Sequence, residues 1–423
     1  MKQYEYITGQ ISSFMSLLLS YAGKINWFYA YIAFIHWYIS FFTDRFIFRH
    51  ENISDGRLLA YKCVFLIILF IIWQLTAYAV KEYKHNQNIR NFIKYSLIYF
   101  TVMMVFLLLT WPGVWRGDEL AIMDDFQYFL TVKWHGLAIG YIYIFSMMLF
   151  PFPSGVAIVQ NIIIAMIVGY IILEFRKYFK NSRMAYLMYV PFLLFPTIDS
   201  NLYLMSSTLY GYLYLLVAVK LFLIGCKNKI TALNTVFVTA IALLMLFLRR
   251  EALLFFIMMV PLFIYCYKMQ KNKKTVFVIA LLSIITINTL ITLKDPLKEE
   301  YEITNIYAHY YRCLKDTGEG EKLYPLFDKL VDVKIFNEKN EIIIKNFAKE
   351  DYSNFTKQCV LSILKSYKIF WQDRLFELKD TSMHGCTEFV FDEVPEYSGQ
   401  EFRDLIQMNS FQPISKSLRR SII

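Results

Sequence analysis

Leu58-Leu59-Ala60-Tyr61-Lys62-Cys63-Val64-Phe65-Leu66-Ile67-Ile68-Leu69-Phe70-Ile71-Ile72-Trp73-Gln74-Leu75-Thr76-Ala77-Tyr78-Ala79-Val80 carries a single charge over its whole length. At about 1.5 Å per residue, a helix of this run crosses the ~30 Å hydrocarbon layer of a bilayer. Similar apolar blocks occupy 25–43, 95–111, 155–174, 184–197, 203–224, 231–248, 252–268 and 275–293. With 58–80 they predict about nine transmembrane helices. Composition agrees: 57% of the 423 residues are hydrophobic and 18% are charged, against roughly 25% charged in a soluble domain. Too little charge is present to cover a soluble surface.

The loops predict an orientation. Lys81, Lys84, Arg90 and Lys94 fill one loop, and Arg176, Lys177, Lys180 and Arg183 another. Lys227 and Lys229 fill a third, and Lys268, Lys271, Lys273 and Lys274 a fourth. They outnumber Arg45, Arg49, Arg57, Arg116, Lys133, Arg249 and Arg250 in the intervening loops. The more basic set belongs on the cytoplasmic face. The net charge of +10 therefore reads as membrane topology, with anionic lipid as the partner and no nucleic acid. The assignment holds only if the apolar stretch 136–152 does not cross. It contains Gly136, Gly140 and Pro151, with Pro153 just beyond, and is expected to be a re-entrant or juxtamembrane helix. The N-terminus is then cytoplasmic and the C-terminus extracytoplasmic. No signal-peptide pattern follows Lys2, so the first helix is expected to act as an uncleaved anchor.

Three regions follow: N-terminal membrane helices at 1–94, a transmembrane core at 95–293, and a small, mostly helical extracytoplasmic C-terminal domain at 294–423. Within the last, 298–316 and 343–379 are expected to be helical. Phe355, Cys359, Ile363, Leu364, Tyr367 and Trp371 approximate a buried stripe. Phe389-Val390-Phe391 suits a short strand. The six cysteines form no CxxC pair, and no disulfide framework is expected. The many Tyr and Phe read most simply as lipid-facing and interfacial packing. Lys62, Glu174 and Lys220 lie near helix ends, where snorkelling suffices. Asn52-Ile53-Ser54 matches the N-glycosylation pattern, which is short and common.

The chemistry concentrates in Trp111-Pro112-Gly113-Val114-Trp115-Arg116-Gly117-Asp118-Glu119-Leu120 and its continuation through Asp124, Asp125, Trp134 and His135. This loop lies on the expected outer face. A carboxylate there can take a proton from an acceptor hydroxyl. A pair can instead hold a divalent cation, Mg or Mn, beside a phosphate leaving group. Ordinary solvated acids are the plainer alternative. His135 can orient a phosphate or a sugar hydroxyl, or form an interfacial pair with Trp134. Asp199, in a very short outer loop, can supply a second carboxylate or cap a helix. Arg249-Arg250-Glu251 breaks an apolar run, and its guanidinium groups suit bidentate phosphate binding; a local Arg–Glu turn is the alternative. P-loop, GxGxxG and zinc spacings are absent, which argues against an ATP-driven pump.

These stretches resemble the GT-C superfamily of membrane glycosyltransferases, in the branch that builds Gram-positive envelope polysaccharides. The resemblance rests on Trp111-Pro112-Gly113 with Asp118 and Trp134-His135, on Leu248-Arg249-Arg250-Glu251, and on 350–374 with Phe370-Trp371-Gln372-Asp373. It covers about 95–375. The sequence departs from it where Gly136-Leu137, not prolines, follow His135. The resemblance implies an enzyme that transfers a sugar, with inversion, from a polyprenyl-phosphate donor to an envelope glycan acceptor outside a bacterial plasma membrane. Asp118 would act on the acceptor hydroxyl; Glu119, Asp124 or Asp199 would bind metal or position the acceptor; Arg249 or Arg250 would hold the carrier phosphate. A polysaccharide polymerase or ligase is one alternative, and a lipid-linked glycan transporter another. A transporter would be expected to carry charges inside its helices and internal repeats.

Overall fold

The computed structural model describes residues 25–44, 55–111, 113, 115, 119, 122, 137–151, 154–179, 182–204, 206–227, 232–248, 264, 298–315, 317–339 and 342–365. Among these the chain is all-helical, with one isolated antiparallel bridge between Val331 and Ile344. Gly56–Tyr83, Gln87–Leu109, Ser154–Arg176 and Ser207–Cys226 are long and apolar enough to cross a bilayer. The chain is therefore membrane-embedded. The expected spans at 252–268 and 275–293 lie outside the described residues, apart from Ile264.

Helix α1, Trp27–Thr43, starts at Asn26, whose side chain accepts from Tyr29 N at 3.4 Å. It pairs with α2, Asp55–Tyr83. Gln74 clasps the Asn26 backbone in both directions, each bond 3.0 Å long. The start of α1 thus sits near the end of α2, and the two form an antiparallel hairpin. Ile67, Ile71 and Leu75 of α2 stay exposed, a costly arrangement in water and a natural one against lipid chains.

Helix α3, Gln87–Leu109, is capped by Asn86, which accepts from Asn88 N and Ile89 N. It packs most extensively against α5, Ser154–Arg176. Gly169 permits the contact, because a Cβ there would come 2.1 Å from Ser96 Oγ. At the other end, a Cβ on Gly113 would meet Ala157 Cβ at 3.5 Å and Leu107 at 3.8 Å. The two helices are therefore antiparallel. The end of α3 and the start of α5 thus lie at the same end of the bundle.

The chain between them contains α4, Leu137–Leu149. Its 13 residues span about 20 Å, short of the bilayer core. It lies within the bundle against α5, with Ile139, Tyr143, Ile144, Met147 and Met148 buried. His36 Nε2 lies 3.2 Å from Leu149 O and ties α1 to the end of α4. At the opposite end, Tyr95 and Tyr186 meet edge-on at 5.8 Å. Lys94 and Arg176 are near enough for their charges to interact. The ends of α3 and α5 that carry Lys94 and Arg176 thus lie at the same end of the bundle.

The expected span at 184–197 takes another form. Ser182–Phe192 is a 3₁₀ segment, and Phe195–Leu202 forms the short helix α6. Pro191 and Pro196 remove two backbone donors, which interrupts α-helical bonding. Two longer helices follow: α7, Ser206–Lys227, and α8, Ala232–Leu248, paired with each other.

A second hydrophobic cluster lies in 298–365. It combines α9 (298–314, with a π turn at Ile303–Tyr307), α10 (Gly318–Phe327), α11 (Val333–Lys339) and α12 (Lys349–Lys365). Phe327 stacks on Phe355 at 5.1 Å and meets Tyr311 at 4.7 Å. The expected helix at 343–379 begins later, because Asp332 N donates to Ile343 O and Lys345 N to Leu330 O. Those bonds hold 342–345 extended. The buried stripe is also shifted: Phe355, Cys359 and Ser362 are inside, whereas Leu364 is 67% exposed. Tyr367, Trp371 and Phe389-Val390-Phe391 lie outside the described residues.

Candidate functional site

Gly113 has φ of +114°, a conformation that favours glycine. The turn folds the segment after α3 back over α5. Trp115 follows, 1% exposed, and meets the Tyr143 ring edge-on at 6.4 Å. Glu119 is fully buried and interacts electrostatically with Tyr143. Tyr143 in turn donates from its hydroxyl to Leu204 O. One carboxylate of the acidic loop is thus drawn inside, beside α4 and the α6–α7 connection. A solvated surface acid would not be buried, so for Glu119 the plainer expectation is corrected.

Asp199 is also corrected in place. It lies within α6 and is 7% exposed, instead of standing in an outer loop. Leu194 occupies the N-cap and makes no side-chain cap bond, so Asp199 does not cap this helix. Two residues on, Asn201 Nδ2 donates to Tyr99 OH at 2.8 Å and to Tyr212 OH at 3.0 Å. Tyr99 OH donates to Phe192 O at 3.0 Å. Gln160 Nε2 donates to Asn201 O at 3.2 Å and to Tyr203 O at 2.6 Å. Broken backbone inside a membrane protein must find partners internally; here Tyr99 and Gln160 supply them. Tyr99, Tyr143 and Tyr212 are therefore interior hydrogen-bonding residues, whereas Tyr31 and Tyr38 of α1 are exposed as first expected.

Lys62 does not snorkel. It is fully buried, with Nζ 2.7 Å from Asp44 Oδ1 and 2.8 Å from Ser40 Oγ. Ser40 Oγ donates to Trp37 O, and Trp37 Nε1 donates to Lys62 O, closing a ring of contacts across α1 and α2. Glu174, in the last turn of α5, fits the helix-end expectation, whereas Lys220 lies seven residues inside α7. Glu174 pairs with Lys177 at 2.7 Å, and Lys220 donates to Tyr170 OH at 3.1 Å.

On its other side α4 borders an apolar cavity of about 450 Å³. Phe65, Tyr141, Phe145, Val159, Ile163 and Leu244 are among its walls. The short helix therefore separates a polar interior, around Glu119 and Tyr143, from a hydrocarbon-lined space.

Asp118, Asp124, Asp125, His135, Arg249 and Arg250 lie outside the described residues. Among the described residues no three His, Cys, Asp or Glu side chains gather as a metal site. Sequence reasoning missed Tyr143, Gln160 and Asn201. Its available signal was the Gln160-Asn161 pair, which interrupts an otherwise apolar block. No family model, curated protein or solved structure matches the chain.

Proposed function

We propose that the chain is a membrane glycosyltransferase that moves a sugar from a polyprenyl-phosphate carrier to an envelope glycan acceptor on the outer face. The observation that carries this reading is the burial of Glu119 beside Trp115 and Tyr143, between the end of α3 and the start of α4. An apolar cavity on the far side of α4 suits a substrate that is part hydrocarbon and part sugar.

In the reaction, Asp118 or Glu119 takes the acceptor hydroxyl proton. The oxygen attacks the anomeric carbon from the side opposite the phosphate, and a new C–O bond forms. The bond to the carrier phosphate breaks, and its electron pair leaves with the phosphate. Arg249 and Arg250 hold that phosphate, and Asp124, Asp125, His135 and Asp199 position the two substrates. A divalent cation held by the loop acids would steady the leaving charge. Deleting the protein should remove one sugar from the envelope glycan, and the wild-type chain should restore it. An unchanged glycan in the deletion strain would refute the reading.

Transport of a lipid-linked glycan is the second reading. The buried Lys62–Asp44 pair favours it, because charges inside membrane helices commonly mark a pathway. The deletion strain separates the two readings: a transporter defect accumulates the complete lipid-linked glycan on the inner face, whereas a transferase defect leaves it without the added sugar.

A further inference from the structure

Arg57, Tyr61, Phe65, Ile68 and Ile72 follow one another at spacings of four or three residues, and so share one face of α2. Tyr61 meets Tyr141 with ring centroids 6.1 Å apart, and Phe65 stacks on Phe145 at 6.4 Å. Helices α2 and α4 thus run side by side in the same direction. The apolar cavity lies between them, lined from Phe65 to Ile72 on α2 and from Ala138 to Leu149 on α4. Those stretches are about 10 and 16 Å long, so the cavity runs lengthwise along a membrane-crossing helix. Ile72 and Tyr141, two of its walls, are each 37% exposed, and the neighbouring Ile71 is 52% exposed. The space therefore opens on the lipid-facing side of α2. About two turns before Phe65, Arg57 is exposed and interacts with the Tyr61 hydroxyl.

The walls select the occupant. Among the described residues lining the cavity none is charged, and a space this apolar does not hold water. A dry cavity of roughly 150 Å³ takes one benzene, so a space of about 450 Å³ takes roughly 18 carbons, the size of one lipid acyl chain. It also lies along the direction in which bilayer chains run. A guanidinium beyond the apolar walls suits a phosphate, to which it can donate paired N–H bonds, and tyrosine beside it fits the headgroup level. We propose that the cavity holds one acyl chain of a membrane phospholipid, with the lipid phosphate at Arg57. A polyprenyl carrier chain is longer and methyl-branched, and reaches this space only by displacing the acyl chain. The site stands apart from the proposed sugar transfer and does not depend on it.

The test reconstitutes the full chain in vesicles of phosphatidylethanolamine and phosphatidylglycerol, with some phosphatidylglycerol carrying a diazirine at mid-chain. After illumination, labelled residues are mapped by peptide mass spectrometry. Label should appear on the cavity walls Phe145 and Ile163 as well as on the outward Ile67 and Ile71. Label confined to Ile67, Ile71 and Leu75 overturns the proposal, because boundary lipid then accounts for all of it. Val159→Phe, which fills the cavity, should lower the label on Phe145 at least roughly tenfold and leave the outward label unchanged. Undiminished cavity label in this variant also overturns the proposal. Arg57→Gln should lower the cavity label roughly fivefold; an unchanged label removes the phosphate from Arg57. Loss of the cavity label on adding polyprenyl phosphate, equimolar with the labelled lipid, makes the carrier the occupant and overturns the phospholipid assignment. The wild-type map decides the matter even where a variant does not fold.

Discussion

Lys62 Nζ and Asp44 Oδ1 stand 2.7 Å apart, with both side chains sealed from the surroundings at 0% and 3% exposure. The aromatic rings of Phe41 and Phe65 flank the ammonium at 4.8 and 5.8 Å. Removing either partner strands a charge in a low-dielectric site, which costs about 3–5 kcal/mol. Removing both can be nearly neutral. Lys62→Leu and Asp44→Leu should each lower the unfolding midpoint in detergent substantially, and the double variant should recover most of the loss. Equal and additive losses would mean that the two charges do not stabilise one another.

Close approach of α3 and α5 depends on Gly169. A Cβ there would press on Ser96 Oγ at 2.1 Å, its N at 2.8 Å and its Cα at 3.0 Å. A side chain can move aside, but the helix backbone cannot. Gly169→Val should cost about 1–3 kcal/mol or more by overpacking, read as a lowered midpoint and reduced membrane abundance. Wild-type stability in this variant would show that the helices do not meet at this point.

Gln160 Nε2 donates to both Asn201 O and Tyr203 O where α6 ends. Gln160→Met keeps the volume and removes both donated bonds. It should cost about 1–3 kcal/mol for the loss of both donated bonds. A midpoint within error of wild type would place the broken segment elsewhere.

Burial pushes the Cys359 thiol up from 9.0 to about 12. The folded state therefore holds this proton over a pH range in which the unfolded chain has lost it. Stability is fully present below about pH 9 and falls as pH rises toward about 12, at roughly 1.4 kcal/mol per pH unit. Burial raises Tyr352 as well, and its bond to Glu302 adds to the effect, so the slope steepens above pH 10. Cys359→Ala should flatten the segment between pH 9 and 10. In native protein near neutral pH the thiol should resist alkylation; rapid labelling there would contradict its burial.

Long apolar blocks such as 58–80 and 155–174 were legible because hydropathy and length alone determine them. The break at 184–202 was not legible as such. Pro191 and Pro196 signal interruption, but only the partners supplied by Tyr99, Asn201 and Gln160 decide whether irregular backbone stays inside. Lys62 was misjudged because its partner, Asp44, sits across a helix hairpin and cannot be found by spacing. The acidic loop stood out as a place for chemistry, while burial of Glu119 depends on the turn at Gly113 and on Trp115 packing against Tyr143. Asn161 interrupts the apolar block 155–174 in the sequence, but its burial is a property of the folded neighbours.

The most direct test of the proposed reaction restores a deletion strain with wild type, Asp118→Asn or Glu119→Gln at matched membrane abundance and measures envelope sugar composition. The account predicts that one sugar disappears on deletion, returns with wild type, and fails to return with at least one of the two carboxylate variants. Full restoration by both variants would contradict it, because neither carboxylate would then take the acceptor proton.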